Sequence, residues 1–158
     1  MTTRKRTDFI VIHCSATRNS DTSIDADTIR EWHMAQGWSD IGYHEVIKRD
    51  GTIELGRPLH TQGAHVKGVN NKSVGICLIG GITDGGMPEN NYTEEQWRSL
   101  RKTIQHKLLI YPEAQVLGHR DFSPDLNNDG LITPNEWIKN CPCFSVSDWV
   151  SAGFKENG

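Results

Sequence analysis

Two nearly continuous apolar runs constrain what this chain can fold into: Phe9-Ile-Val-Ile-His-Cys14 and Ser73-Val-Gly-Ile-Cys-Leu-Ile79. Each is too short for an ordinary globular helix and is rich in β-branched residues, so each reads as a buried strand. Gly80-Gly81 closes the second run. Helical signals lie between and after them. Asp25 or Asp27 can cap a helix through Gln36, with Ile29, Trp32 and Met34 apolar and Gly37 just past the end. Thr93-Glu-Glu-Gln96 is a capping box; Trp97, Leu100, Ile104, Leu108 and Leu109 mark one face of the helix it opens, and Tyr111-Pro112 ends that helix. Ser145 or Ser147 caps a short terminal helix through Ser151.

The remaining segments complete a sheet. Tyr43 to Arg49 alternates, meets Asp50-Gly51 and returns through Thr52 to Leu55, which is a hairpin signal. Gln115 to Gly118 reads as a short strand. Ser15 to Asp27 and Pro58 to Asn71 read as polar loops, and Ile82 to Tyr92 as a turn-rich excursion. The expected fold is α/β: one domain of 158 residues with a central mixed β-sheet flanked by helices.

A net charge of −3 gives no electrostatic case for nucleic acid or for an anionic membrane. Phe9–Ile12 is too short for a signal-peptide core, and no run is long enough to span a bilayer. The chain is therefore expected to be made in a cytoplasm, as a monomer, and carried or released if it acts elsewhere. The four cysteines do not form a disulfide framework. Cys14 and Cys77 fall within apolar runs as buried thiols. Cys141 and Cys143 flank Pro142 in a polar segment, a more chemical setting.

About twenty residues separate the short strand from Cys141, long for an unordered loop. They contain an ordering device. Asp125-Leu-Asn-Asn-Asp-Gly-Leu-Ile-Thr-Pro-Asn-Glu136 matches the calcium-loop pattern D-x-N-x-D-G-x5-E. Asp125, Asn127 and Asp129 offer oxygens at positions one, three and five, the Leu131 carbonyl serves at seven, and Glu136 at twelve. The competing reading is an Asx-rich turn that needs no ion. Pro124 precludes an entering helix, and no second hand is present.

Several ordered motifs carry a family resemblance. They are Ile12-His-Cys-Ser-Ala-Thr17, Gln36-Gly-Trp-Ser-Asp-Ile-Gly-Tyr-His44, Ile47-Lys-Arg-Asp-Gly51, Gly63-Ala-His65, Ser73 to Gly81, Gly118-His119 and Lys139-Asn-Cys-Pro142. From Phe9 to Trp149 the chain resembles the phage lysozyme-type zinc-dependent N-acetylmuramoyl-L-alanine amidases, in the superfamily that also holds the peptidoglycan recognition proteins. The resemblance implies that His13, His119 and Cys141 ligate zinc, and that Tyr43 and Lys139 are the catalytic pair. Two imidazoles and a thiolate suit zinc, and three protein ligands leave a position for water. The family's Cys-before-Pro pattern selects Cys141 over Cys143. His65 lies in a loop that lines the substrate groove in this family and is expected to contact substrate.

Bland alternatives stand beside these roles. His13 alone could be a hydrogen-bonded core histidine, Tyr43 a packing residue, and Lys139 a solvated lysine. His44 follows Tyr43 on an alternating segment and should face away and pack or hydrogen-bond. His33, His60 and His106 are read as structural. Trp32, Trp38, Trp97 and Trp149 are read as core or near-core anchors, and Trp137 is unassigned.

Two features depart from the pattern. The calcium-type loop lengthens the segment after His119, and Cys77 stands where cytoplasmic recycling amidases carry a glutamate. The expected activity is cleavage of peptidoglycan between N-acetylmuramic acid and L-alanine, as a phage or prophage endolysin without a separate wall-binding domain. Zn2+ is the expected cofactor, with Ca2+ a second. A recycling amidase and a non-catalytic peptidoglycan-binding module are the alternatives.

Overall fold

The run at the start of the chain becomes an internal strand with neighbours on both sides. The computed structural model describes residues 2–155. In chain order its strands are β1 (Phe9–Cys14), β2 (Thr17–Arg18), β3 (Glu45–Ile47), β4 (Ile53–Leu55), β5 (Ser73–Leu78), β6 (Gly81–Ile82) and β7 (Gln115–Gly118). The helices are α1 (Ala26–Ala35), α2 (Glu94–Ile110) and α3 (Val146–Ser151). Five strands form one sheet in the order β4-β3-β5-β1-β7. β3, β5, β1 and β7 run parallel, and β4 pairs antiparallel to β3. The sheet is thus mixed, in an α/β fold, as the sequence implied.

Both apolar runs are apolar throughout because helices cover both faces of the sheet. Alternate residues divide between the layers. Ile10, Ile12 and Cys14 join Val74, Ile76 and Leu78 against Leu100 and Ile104 of α2 and Val146 and Trp149 of α3. Val46, Cys77 and Ile79 pack on the other face with Ala26 and Ile29 of α1. Each fully buried aliphatic side chain contributes about 1.5–3 kcal/mol. Val11 and His13 alternate with the α2-facing residues of β1 and so take the α1 side. Neither is exposed: Val11 is 0% accessible and His13 1%.

The caps read from sequence are present. The Thr28 N–H donates to Asp25 Oδ1 at 2.9 Å, so Asp25, not Asp27, caps α1. Thr93 and Gln96 form the full capping box of α2. Gln96 is buried, and its amide also donates to the Ile47 and Ile79 carbonyls, tying α2 to the sheet.

Three expectations about packing are corrected. Leu109 is 83% exposed. The buried stripe of α2 follows Leu100, Thr103, Ile104 and Lys107 at three- and four-residue spacing, and Leu109 falls outside it. Lys107 is buried because its ammonium pairs with Glu45 on β3. Trp32 and Met34 of α1 are exposed, since Ala26 and Ile29 are the residues this helix buries. Trp38 is 38% exposed and is not a core anchor, whereas Trp149 is buried and Trp97 packs against the core.

The strand expected over Tyr43–Arg49 is confined to Glu45–Ile47. β2 and β6 were read as loop and excursion. They pair in parallel over two residues each, too short a stretch for any periodicity to register. No helix among the described residues is long and apolar enough to cross a membrane.

Candidate metal centre and cleft

The parallel pairing of β1 with β7 brings two distant histidines together. Ile12 lies beside Gly118, so each strand delivers its next residue, His13 and His119, to the same end of the sheet. Their rings are 4.6 Å apart between centroids. A single turn of 3-10 helix over His119–Phe122 fixes the second histidine. The Gly118 N–H donates to Asp121 Oδ2 at 2.8 Å, and the Arg120 N–H to the Cys141 carbonyl at 2.9 Å. That second bond returns the long excursion to the sheet. The Cys14 N–H closes the site by donating to Cys141 Sγ at 3.0 Å.

One donor atom from each of His13, His119 and Cys141 lies within 4.8 Å of the others. Cys143 is outside this group. It has φ +74°, and its thiol donates to the Gly81 carbonyl at 3.4 Å. Cys14 and Cys77 are buried, as expected.

The electrostatics suit a cation. Burial pushes the His13 pKa well below 6.5, and the positive charge available to His65, His119 and Lys139 lowers it further. His119 is lowered first by burial and then by Lys139. Both imidazoles are therefore neutral at pH 7, the form that ligates metal. The Cys141 thiol is pushed up by its contact with the Cys14 side-chain thiol and by burial, while the Cys14 main-chain N–H acts in the opposite sense. A dication at the sulfur would reverse that direction by stabilising the thiolate. Two neutral imidazoles and one thiol, without a carboxylate among them, are a donor set that fits zinc.

A cavity of about 230 Å3 opens over these donors, lined by Tyr43, His65, Lys139, His33 and Trp38 among others. The Tyr43 ring lies 5.0 Å from that of His13. Burial, followed by the nearby thiols Cys77, Cys141 and Cys14, raises the Tyr43 pKa well above 10, so the phenol keeps its proton at neutral pH. Lys139 is exposed at the rim. The structure thus brings together all five residues singled out as ligands and catalytic pair.

His65 also lines this cavity, but its ring is engaged beneath His13: the two nitrogens His13 Nε2 and His65 Nδ1 are 2.8 Å apart. His44 is buried and fully paired, accepting from the Gly75 N–H at 3.0 Å and donating to the Thr61 carbonyl at 2.8 Å. His33 and Trp38 were read as structural, and both line the cavity. His33 Nδ1 accepts from the Gly42 N–H at 2.8 Å while its ring packs against Trp38 and Tyr43. The signal for them was the helix end at Gln36-Gly37, which turns the chain back over the sheet.

Two further cavities adjoin this one. A cavity of about 290 Å3 shares His119 and Lys139 and adds Lys67 and Arg120. A third, of about 430 Å3, shares Ala16 and adds Arg18 and Trp32. A separate aromatic cavity of about 400 Å3, under Trp97 and Trp149, includes none of the candidate ligands. Arg120 is stacked over the Trp137 ring at 3.8 Å, which gives that tryptophan a role in bracing the basic arm.

In the calcium-type loop, donor atoms of Asp125, Asp129 and Glu136 lie within 4.8 Å of one another. The loop also satisfies itself. Glu136 is 6% exposed, and its carboxylate accepts from the N–H groups of Leu126, Asn127 and Thr133. Asp125 accepts from the Gly130 N–H at 2.8 Å. The Ile138 N–H donates to Ser123 Oγ at 3.1 Å, closing the loop at its base.

Residues 3–142 match the family described as Amidase_2, N-acetylmuramoyl-L-alanine amidase. The chain belongs to the N-acetylmuramoyl-L-alanine amidase family. This amidase chain is 40% identical over 152 residues to the endolysin of Enterobacteria phage K11, a match that covers 96% of this chain and 91% of the phage protein. It is 54% identical over 103 residues to an uncharacterized protein of Haemophilus influenzae, covering 65% and 89% of the two chains. Among solved structures, the N-acetylmuramoyl-L-alanine amidase LysC of Clostridium intestinale superposes with a TM-score of 0.70 at 26% identity, covering 95% of this chain and 87% of LysC.

Proposed function

We propose that this amidase is an endolysin-type peptidoglycan hydrolase that cuts the amide between N-acetylmuramic acid and L-alanine with zinc held by His13, His119 and Cys141. The convergence of those three donors beneath one cleft carries the reading. The endolysin of phage K11, alike over almost its whole length, supports the biological setting. In that setting the protein is made in the cytoplasm and reaches the wall once the membrane has been permeabilised.

Zinc bound there supplies a Lewis acid and makes hydroxide available near neutral pH. The chain's own residues do the rest. Tyr43, protonated at neutral pH, is a hydrogen-bond donor into the cleft. The Lys139 ammonium at the rim stabilises the negative charge that develops on the scissile carbonyl oxygen. Lys67 and Arg120 extend the positive arm and suit the carboxylates of a stem peptide, while half-exposed Trp38 and Trp32 offer flat apolar faces to the glycan side. The cleft itself then supplies the affinity for the wall.

We read the calcium-type loop as a structural Ca2+ site formed by Asp125, Asn127, Asp129, the Leu131 carbonyl and Glu136. The grouping of its three carboxylates supports that reading. Calcium would hold the excursion that carries Lys139 and Cys141 back to the cleft.

Digestion of purified sacculi tests the activity. New L-alanine amino termini that vanish with chelator, without new reducing sugar ends, are the expected result. New reducing ends would instead identify a glycosidase.

A further inference from the structure

We propose that His65 is a positioning residue that fixes the tautomer of His13, so that His13 presents Nδ1 to the metal. The inference rests on the reading of His13 as a ligand and follows from a chain of hydrogen bonds with one consistent direction. Ser73 Oγ lies 2.7 Å from the Val69 carbonyl, which can only accept, so the single hydroxyl proton of Ser73 is committed there. Toward His65 Nε2, 3.2 Å away, Ser73 Oγ can then only accept, so the proton of neutral His65 sits on Nε2. That leaves His65 Nδ1 as a lone pair, which accepts from His13 Nε2–H at 2.8 Å. Neutral His13 is left with an unprotonated Nδ1 for the metal. A ligating imidazole whose other nitrogen donates to a fixed acceptor is the usual way in which protein metal sites are oriented.

The fold makes room for this relay. Gly75 lies in the middle of β5, where glycine weakens a strand. A Cβ there would lie 2.6 Å from His65 Cγ and 2.7 Å from His65 Nδ1. A Cβ at Gly63 would lie 2.7 Å from His65 Cδ2. The ring of His65 therefore fills space that two absent side chains leave. Its loop is pinned as well: the N–H groups of His65 and Val66 both donate to Asn70 Oδ1 at 2.8 Å. Position, orientation and proton placement of His65 are all set before any metal arrives.

The test compares His65→Asn, whose amide oxygen can accept near the Nδ1 position, with His65→Leu, which cannot accept. Zinc affinity is read by chelator competition, and folding by the thermal midpoint of the metal-free proteins. His65→Leu should bind zinc about 10–100-fold more weakly, and His65→Asn within about threefold of the parent. Equal affinity for all three proteins, or equal loss in both variants, overturns the proposal. Long-range 1H–15N spectra of the metal-free parent give a reading free of any folding defect. His13 and His65 should both carry their proton on Nε2, and a proton on His13 Nδ1 overturns the relay. If the parent binds no zinc at all, the ligand reading itself fails, while the spectra still report on the relay.

Discussion

The main-chain N–H of Cys14 donates to the sulfur of Cys141 at 3.0 Å, across a separation of 127 residues. One strand therefore contributes twice to the candidate metal centre, through the His13 imidazole and through the amide that follows it. An N–H aimed at sulfur favours thiolate over thiol. Cys143 lies outside the donor group, and its thiol donates to the Gly81 carbonyl. Cys141→Ala should accordingly lose zinc, while Cys143→Ala keeps about one ion per chain, as measured by elemental analysis after gel filtration. Equal loss in both variants would mean that the other thiol is the ligand.

Tyr43 and Lys139 line the cleft without belonging to the donor set. Tyr43→Phe and Lys139→Ala should each retain zinc and lower kcat by about 10²–10³, the effect of removing one preorganised donor. Full activity with zinc in place would remove either residue from the mechanism.

Trp38 presents a half-exposed face at the cleft, held by packing on His33. Trp38→Ala should raise KM roughly fivefold on soluble muropeptide with little change in kcat, corresponding to loss of about 1 kcal/mol of aromatic contact. A fall in kcat at constant KM would assign Trp38 to catalysis rather than to binding.

Acid should destabilise the metal-free protein through its buried histidines. Burial pushes the His44 pKa down to about 4, against an unfolded value near 6.5. Between those values the unfolded chain binds the extra proton and the folded chain does not. The stability from neutral His44 is thus complete above about pH 6.5 and is lost as pH falls toward 4, by about 3 kcal/mol for this residue. His13 and His65 are lowered in the same sense. Urea midpoints at pH 7 and 4.5 measure the loss, and His44→Gln should flatten it.

Calcium at about 100 times its dissociation constant should stabilise the metal-loop form by about 2.7 kcal/mol, a rise in Tm of roughly 5–10 °C. Glu136→Gln should reduce that rise sharply. No rise in the parent would leave the segment as the self-satisfied Asx-rich turn that its internal hydrogen bonds also describe.

Much of this was legible in the residues. The runs at Phe9 and Ser73, the Thr93 capping box and the Asp50-Gly51 turn each have a local physical cause, and each became the element it predicted. The candidate ligands were singled out through motifs, because His13 stands more than a hundred positions from His119 and Cys141 and has no local relation to them. What stayed hidden depended on tertiary register. Trp38 was read as a core or near-core anchor, yet the turn after α1 leaves it half-exposed at the cleft. Gly75 passed without comment inside the Ser73–Ile79 run, and only the packing shows the imidazole that occupies its missing side chain. Leu109, read as part of the buried face, lies off the stripe, whereas Lys107 is buried because its ammonium pairs with Glu45.

The strand order has a consequence for biosynthesis. β1 is made before its two sheet neighbours, which begin at Ser73 and Gln115, and the last candidate metal donor is Cys141. A nascent chain must hold β1 unpaired until Ser73 has been made and open on one edge until Gln115 has, which favours slow, late closure. The three candidate donors are complete only once Cys141 has been made, so the proposed site cannot form on a nascent chain that stops short of it.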